Sequence, residues 1–284
     1  MRRPTHRLRR LALGLAVLLL AGCGAAPAPP PVLVGARPDA ESLVLAHVYA
    51  AALRGSGVVS HVEVSDDPLA QLDSGAVTVM PGLTGRLLMV FAPDAAGRSD
   101  RQVYKAMVGA LPEGIAAGDY AMTAADKPAL ALARATAATW HATNLGELPR
   151  HCSGLTLGVV SGARTPATVG GCRLPTAQQF PDDTALFSAL RAKQISAAWT
   201  STAAPRIPDD VVVLSDPAPA LVRAENVVPL YRRNELAEPQ LLAINQVAGV
   251  LDTAALADMR RQVADGADPR HVADAFLDEH PLGR

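Results

Sequence analysis

Strand-like and helix-like patterns of apolar residues alternate along most of this chain. A short apolar run at 32–34 ends at Gly35 and predicts a strand, and Asp39 predicts the N-cap of the helix that follows. The predicted strands lie at residues 32–34, 58–64, 77–80, 120–122, 155–160, 195–199, 211–214 and 227–231. The predicted helices lie at residues 40–54, 69–73, 85–91, 102–111, 128–142, 184–193, 239–251, 253–265 and 268–280. This alternation indicates an α/β fold with a largely parallel sheet.

One junction in this pattern predicts a ligand-facing loop. Residues 80–85, Met-Pro-Gly-Leu-Thr-Gly, lie between a predicted strand and a predicted helix. Pro81 removes a backbone donor, and Gly82 and Gly85 permit backbone angles that other residues avoid. The segment therefore predicts a tight turn at the carboxyl end of a strand, where α/β proteins bind ligands. An ordinary turn without a ligand is the alternative.

The N-terminus has the pattern of an export signal. Five arginines precede the apolar run 11–21, which is shorter than the roughly 20 residues that a membrane-spanning helix needs. Residues 20–23, Leu-Ala-Gly-Cys, resemble a bacterial lipobox, which implies a lipidated Cys23 as the mature N-terminus. A plain secretory signal is the alternative. We therefore expect a signal peptide at 1–22 and a stiff Pro-rich tether at 23–31.

The net charge and the missing catalytic motifs argue against several classes of function. Removal of residues 1–22 takes away five arginines and leaves 21 basic against 27 acidic residues, a net charge of −6. Nucleic-acid binding requires a basic surface, so it is not expected. The chain also lacks HExxH, GxxxxGK[ST], GxSxG and clustered Cys/His patterns, so we predict no enzyme activity, no metal and no cofactor.

The cysteines fit an exported protein. Cys152 and Cys172 remain after Cys23 is assigned to lipidation, and in an oxidising compartment two such residues predict a disulfide. Two buried free thiols are the alternative.

Several segments in family order resemble one known family. The chain is similar to the substrate-binding lipoproteins of ABC importers and, among these, to the glycine betaine/choline/carnitine (osmoprotectant) binding family. The matching segments are residues 35–41 (GARPDAE), 72–75 (LDSG), 81–85 (PGLTG), 126–132 (DKPALAL), 189–207 and 226–232 (NVVPLYR). The resemblance covers almost the whole chain after the tether.

The resemblance implies a type II periplasmic-binding-protein fold, with two α/β lobes, a hinge and a ligand cleft between them. Residues 32–122 and 228–284 would form lobe 1, and residues 123–227 lobe 2. The implied function is capture of a glycine betaine- or choline-type solute and its delivery to an ABC permease, by a protein lipid-anchored on the outer face of the bacterial cytoplasmic membrane. An accessory or sensory lipoprotein with the same fold and an altered ligand site is the alternative.

The aromatic positions of the family site are not aromatic here. Family members hold a trimethylammonium group against ring faces, which attract a desolvated cation. In this chain Leu83 replaces a tyrosine, and Asp39 and Ser201 replace phenylalanines, while Ala204 replaces an aspartate. Trp199 and Tyr231 are the rings that would compensate, and core packing is the alternative for both. The ligand can therefore differ from betaine.

Polar residues at the matched positions are the candidate ligand contacts. With Leu83, the predicted set is Arg37, Asp39, Thr84, Thr200, Ser201, Thr202 and Asn226, and Arg164 is a weaker candidate. Arg37 would pair with an anionic group, and Asp39 with a cation. A solvated loop charge and a helix N-cap are their respective alternatives, and for Thr84, Thr202 and Asn226 the alternative is hydrogen bonding to local backbone.

Overall fold

The computed structural model describes residues 30–283, so the predicted signal peptide, Cys23 and most of the tether lie outside the described residues. The chain first builds one sheet, then a second, and then returns to the first. The opening segment consists of β1 (Val32–Ala36), α1 (Ala40–Gly55), β2 (Ser60–Val64), α2 (Pro68–Ser74), β3 (Val79–Leu83), α3 (Thr84–Phe91), α4 (Asp100–Gly109) and β4 (Ile115–Ala117).

The middle segment is joined to the final segment by residues 214–226, which lie outside the helices and strands. The middle segment consists of β5 (Pro128–Ala133), α5 (Arg134–Trp140), a 3-10 helix (Leu145–His151), β6 (Leu157–Val160), β7 (Thr168–Val169), β8 (Cys172–Arg173), β9 (Gln178–Phe180), α6 (Asp183–Arg191), β10 (Ala197–Ser201) and β11 (Val211–Val213). The final segment consists of β12 (Val227–Arg232), α7 (Glu238–Val250), α8 (Thr253–Ala264) and α9 (Pro269–Glu279).

Two five-stranded sheets organise these elements. The first has the order β2-β1-β3-β12-β4 and the second β11-β5-β10-β6-β9, while β7 and β8 form a separate hairpin. The first sheet is parallel from β2 to β3, but β12 runs antiparallel to both β3 and β4. The second sheet is parallel at β10, β6 and β9 and antiparallel at β5 and β11. The prediction of a largely parallel sheet is therefore wrong in part, because β12 enters from the second sheet without a helical crossover.

Apolar side chains cover both faces of each sheet. In the first sheet, Tyr49 and Ile244 pack on one face, and Leu88 and Met107 on the other. In the second sheet, the alternation along β5 sends Leu130 and Leu132 to one face and Ala131 to the other. We call residues 32–117 and 227–279 the first-sheet half, and residues 128–213 the second-sheet half. The predicted lobe boundaries stay a prediction.

Local sequence signals set most helix starts. The side chains of Asp39, Asp67, Asp182 and Asp252 each accept a hydrogen bond from a backbone N–H in the first turn. Two predictions are wrong. Residues 128–142 are not one helix, because residues 128–133 pair with β10 and β11 before α5 begins. Residues 120–122 are not a strand, and Ile115–Ala117 pairs with β12 instead.

Among the described residues, no single helix is long and apolar enough to cross a bilayer. The helices α7 and α8 together meet the length and composition criteria, but they are bent by 98°.

Candidate functional site

The chain passes between its two sheets twice, and the two crossing segments lie side by side. Asp126 N–H donates to the Glu225 carbonyl over 2.9 Å, and Val227 N–H donates to the Ala124 carbonyl over 3.1 Å. Ala125 and Asn226 form the antiparallel bridge between these two bonds. Because both sheets meet at this point, we call the paired segments 124–126 and 225–227 the junction.

The predicted loop at residues 80–85 is not a loop, and that prediction is wrong. Strand β3 continues through Leu83, and α3 begins directly at Thr84. Pro81 lies opposite Pro229 in the antiparallel ladder with β12. The neighbouring Thr84–Asn226 pair is hydrogen-bonded, so alternation along the ladder places the two prolines at a position that needs no backbone donor. This is why a proline-containing segment remains a strand.

Thr84 and Asn226 are buried at the junction and are hydrogen-bonded to each other. Thr84 N–H donates to the Asn226 carbonyl over 2.9 Å, and Asn226 N–H donates to the Thr84 hydroxyl oxygen over 3.0 Å. The Asn226 side-chain amide donates to the Ala121 carbonyl over 2.9 Å. Both side chains therefore fix backbone at the junction, and their contact with a ligand stays a prediction.

Arg37 and Asp39 lie in the loop after β1 and are exposed, whereas Leu83 of β3 is buried. Asp39 Oδ1 accepts from Ser42 N–H over 2.9 Å and so caps α1. Arg37 Nη1 donates to the Asp66 carbonyl over 3.1 Å, and its Nε lies 3.7 Å from Asp39 Oδ2. Leu83 is buried in the core beneath α1. The ligand roles predicted for these three residues stay predictions.

The candidates at the end of β10 are half-buried hydroxyl residues. Thr200 and Ser201 pair with Ala129 and Pro128 of β5. Thr202 donates from its hydroxyl to the Ala125 carbonyl over 2.8 Å, so it contacts the junction. Trp199, one of the two rings considered for a cation site, is buried in the core of the second-sheet half. Tyr231 packs against the core of the first-sheet half, and Arg164 is exposed in the loop after β6.

A cluster of five charged side chains surrounds the junction. Its members are Glu41, Arg86, Asp126, Glu225 and Arg260, and we call it the charged cluster. Glu41 and Arg86 lie in the first turns of α1 and α3, and Arg260 lies on α8. The first-sheet half therefore supplies three members, and the crossing segments supply the other two.

Asp126 is the best-satisfied carboxylate of the cluster. Its Oδ1 accepts from Arg260 Nη1 over 2.9 Å and from Ala203 N–H over 3.1 Å, and its Oδ2 lies 3.3 Å from Arg86 Nη2. Arg260 also donates to the Ala203 carbonyl over 2.7 Å. Only 2% of the Asp126 side chain is exposed, so these bonds replace the water it loses. Asp126 thus ties both sheets together.

Arg86 is the member of the cluster that faces solvent. Its side chain is 53% exposed, and its Nη1 donates to Glu41 Oε2 over 3.1 Å. The Arg86 backbone N–H donates to Glu225 Oε2 over 2.8 Å. A Cβ on the preceding Gly85 would lie 2.5 Å from the Ala224 carbonyl oxygen and 2.8 Å from the Glu225 carboxyl carbon. Glycine at position 85 therefore permits this close approach of α3 to the crossing segment.

The two glutamates of the cluster are buried, and burial changes their acidity. Burial raises the pKa of Glu41 to about 7; the nearby Asp126 adds to the rise, and Arg86 and Arg260 oppose it. Burial also raises the pKa of Glu225 to about 7, against the backbone hydrogen bond and the charge of Arg86. Glu41 Oε1 is buried and has no hydrogen-bond partner among the described residues. The cluster is therefore short of positive charge and of donors.

The sequence patterns did not single out the charged cluster, although Arg86 carries a signal. A cation in the first turn of a helix is unfavourable next to the helix dipole. Arg86 follows Gly85 at the start of α3, which indicates that an acidic partner offsets this cost. Its partners Glu41 and Asp126 lie 45 and 40 residues away in the sequence. No local pattern identifies them.

Away from the junction, the structure joins Cys152 and Cys172 as predicted, with their Cα atoms 5.7 Å apart. Within residues 30–283, no group of three His, Cys, Asp or Glu side chains is placed to hold a metal ion.

Comparison with known proteins identifies the architecture. The profile of the OpuAC family, described as the substrate binding domain of ABC-type glycine betaine transport systems, matches residues 30–279. A comparison with curated protein sequences found no match.

Three solved structures have related folds. The apo form of YehZ from Escherichia coli has a TM-score of 0.69 at 21% identity, over 89% of this chain and 99% of that one. A glycine betaine/carnitine/choline ABC transporter structure has a TM-score of 0.69 at 18% identity, over 88% and 98% of the respective chains. A choline-binding protein of an ABC transporter, in complex with choline, has a TM-score of 0.53 at 15% identity, over 88% and 89%. The predicted α/β fold of the type II periplasmic-binding-protein class is confirmed, as is the resemblance drawn from the motifs.

Proposed function

We propose that this chain, which belongs to the family of substrate-binding domains of ABC-type glycine betaine transport systems, captures a small polar solute and delivers it to a membrane permease. The extent of the family match is the observation that carries this proposal. It runs over residues 30–279 and so includes both sheets, both crossing segments and all of the candidate contacts. The family is defined by solute binding rather than by catalysis, which agrees with the absence of catalytic motifs in the sequence.

The binding site proposed here is the cleft at the junction. The first-sheet half would contribute Arg37, Asp39, Thr84 and three members of the charged cluster. The crossing segments would contribute Asn226 and the other two members of the cluster, and the second-sheet half would contribute Thr200, Ser201 and Thr202. Closure of the two halves would bury the solute and exchange its water for these polar groups. The permease would then recognise the closed form.

The charges of the cluster support a solute that carries a positive charge. Three carboxylates face two guanidinium groups, so the fully ionised cluster has a net charge of −1. A betaine- or choline-type solute brings a cation to this position, and Arg86 offers exposed N–H groups to a carboxylate or hydroxyl at the solute's other end.

The N-terminal pattern supports attachment to the membrane. A lipidated Cys23 would anchor the protein on the outer face of the cytoplasmic membrane, and residues 24–31 would hold the folded body off the surface. The disulfide between Cys152 and Cys172 agrees with this oxidising location.

One observation favours a second candidate function. Leu83, where the family has a tyrosine, is buried in the core, and Trp199 is buried in the other half. A chain that lost its aromatic cage in this way fits an accessory or sensory lipoprotein with an altered ligand site.

Calorimetric titration of the purified chain tests the proposal. The panel is glycine betaine, choline, carnitine and proline betaine, together with glycine, proline and their partly N-methylated forms. We expect saturable one-site binding of at least one of these solutes. Absence of heat from the whole panel would reject the solute-binding proposal and leave the accessory function.

A further inference from the structure

The charged cluster contains a buried oxygen that lacks a donor. The Glu41 side chain is 9% exposed, and its Oε2 is paired with Arg86 Nη1 over 3.1 Å. Its Oε1 has no hydrogen-bond partner among residues 30–283. A buried carboxylate oxygen without a donor costs free energy, since the group has lost its water and gained nothing in exchange. The position therefore calls for a donor that the described chain does not supply.

The surroundings of Glu41 favour a cationic donor. Asp126 and Glu225 lie in the same cluster, and Arg86 and Arg260 are the two cations that oppose them. An added positive charge would bring the fully ionised cluster to neutrality. In the family a quaternary ammonium is held by ring faces, but this group has no N–H and cannot donate a hydrogen bond. It would leave Glu41 Oε1 without a donor.

Arg86 provides the complementary position for an anion. A guanidinium carries five N–H donors, and the hydrogen bonds found among residues 30–283 use two of the side-chain donors of Arg86, one to Glu41 and one to Asp126. About half of the side chain is exposed. A carboxylate can therefore bind Arg86 from the solvent side, and Glu41 Oε2 lies 3.1 Å from Arg86 Nη1.

We propose that the solute is a small zwitterion whose cationic nitrogen carries at least one hydrogen, and that Glu41 Oε1 accepts this N–H while Arg86 binds the carboxylate. The inference rests on the proposed function and narrows its substrate class. It assigns Glu41 and Arg86 the recognition of charge that ring faces perform for quaternary amines. Selectivity follows because a solute N–H would supply the donor that Glu41 Oε1 lacks, whereas a trimethylated nitrogen would leave that oxygen without one.

A methylation series tests this assignment by calorimetry. Glycine, sarcosine, dimethylglycine and glycine betaine share one carboxylate, and only the last lacks an N–H. Proline and proline betaine form a second pair of larger size. We expect dimethylglycine to bind at least tenfold more tightly than glycine betaine, and proline at least tenfold more tightly than proline betaine. Equal or tighter binding of the betaines would overturn the inference while leaving the proposed function intact.

The remaining outcomes are also decisive. If choline or carnitine binds and no N–H solute does, the inference fails and solute binding stands. If nothing in either panel binds, both fail.

Two matched variants separate a ligand contact from a structural role. Glu41→Gln keeps the size of the side chain and removes its charge, and Glu63→Gln makes the same change at an exposed position of β2. We expect Glu41→Gln to weaken dimethylglycine or proline binding at least tenfold and betaine binding less than threefold. Glu63→Gln should change neither. An equal loss for both classes of solute in Glu41→Gln, with unchanged thermal unfolding, would assign Glu41 no role in N–H recognition.

Discussion

The two halves present different chemistry to the junction. The first-sheet half contributes Glu41, Arg86 and Arg260, all of which carry formal charge. The second-sheet half contributes Thr200 and Ser201, together with the Thr202 hydroxyl that binds the Ala125 carbonyl. Of these residues, those of the first-sheet half carry formal charge, and those of the second-sheet half carry neutral hydrogen-bonding groups.

This difference indicates that the two halves have different roles in solute binding. Buried charges need fixed partners, and the first-sheet half supplies them from the first turns of two helices and from α8. Hydroxyl groups lose less on desolvation, so the free-energy cost of exposing and reburying Thr200 and Ser201 is smaller. We infer that the first-sheet half fixes the solute's charged groups and that the second-sheet half closes over them.

Removal of the Asp126 carboxylate, which links the two halves, should have the largest effect on stability. Asp126→Ala leaves Arg260 and the Ala203 N–H without their buried partner, so we expect the free energy of unfolding to fall by about 4 kcal/mol. Urea denaturation measures this change. Asp66→Ala, at an exposed position, should cost less than about 0.5 kcal/mol and serves as the control. Similar losses for both variants would mean that Asp126 does not hold the halves together.

The second-sheet half should depend on its disulfide. The bridge closes a loop with a sequence separation of 20, and its loss should lower the free energy of unfolding by about 3 kcal/mol. Urea denaturation with and without reductant measures the effect, and the Cys152→Ala/Cys172→Ala variant should show no response to reductant. Hydrogen exchange should locate the change near β7, β8 and the 3-10 helix. Faster exchange in the first-sheet half alone would contradict the dependence of the second-sheet half on the disulfide.

Stability should fall as pH rises through neutrality, because Glu41 of the first-sheet half and Glu225 of the junction lose their protons. The pKa values of Glu41 and Glu225 are about 7 in the folded protein, above the 4.5 that is usual for a glutamate, so the folded state retains protons that the unfolded state has lost. Their contribution is fully present below pH of about 4.5 and is lost as pH rises through 7.

The expected loss is on the order of 2 kcal/mol for each glutamate between pH 5 and pH 8. Urea unfolding of the wild-type chain and of the Glu41→Gln/Glu225→Gln variant measures the difference between them. The variant should show a flatter profile. Parallel profiles would show that these two glutamates do not titrate near neutrality.

The smallest effect on solute affinity should come from the hydroxyl residues of the second-sheet half. Loss of one neutral hydrogen bond costs about 1 kcal/mol, so Thr200→Val or Ser201→Ala should weaken solute binding by no more than about fivefold. Calorimetry with the best-bound solute measures this, and Ser188→Ala on the exposed side of α6 is the control. A loss of solute affinity larger than that caused by Glu41→Gln would contradict the assignment of charge recognition to the first-sheet half.

Local signals in the sequence were sufficient for the fold class. Asp39 marked the start of α1 because an N-cap depends only on the next three residues. The alanine-rich residues 128–142 were predicted as one helix, since alanine has the highest helix propensity. Pairing of residues 128–133 with β10 and β11 overrides that preference, and such pairing is invisible in a local window.

The candidate site was less predictable than the fold. Thr84 and Asn226 follow from family motifs, but Arg86, Glu41 and Asp126 meet only when segments distant in sequence pack together. The predicted turn at residues 80–85 failed for a related reason. Pro81 suits a strand because its position opposite β12 needs no backbone donor, and the residue opposite it, Pro229, comes 148 residues later in the chain.

Hydrogen–deuterium exchange with and without the best-bound solute would locate the solute on the chain. We propose that the solute binds at the junction and contacts the charged cluster. We expect slower exchange at the N-termini of α1 and α3, at the crossing segments and at the end of β10. Slower exchange confined to other elements, with residues 40–43 and 84–87 unchanged, would contradict it.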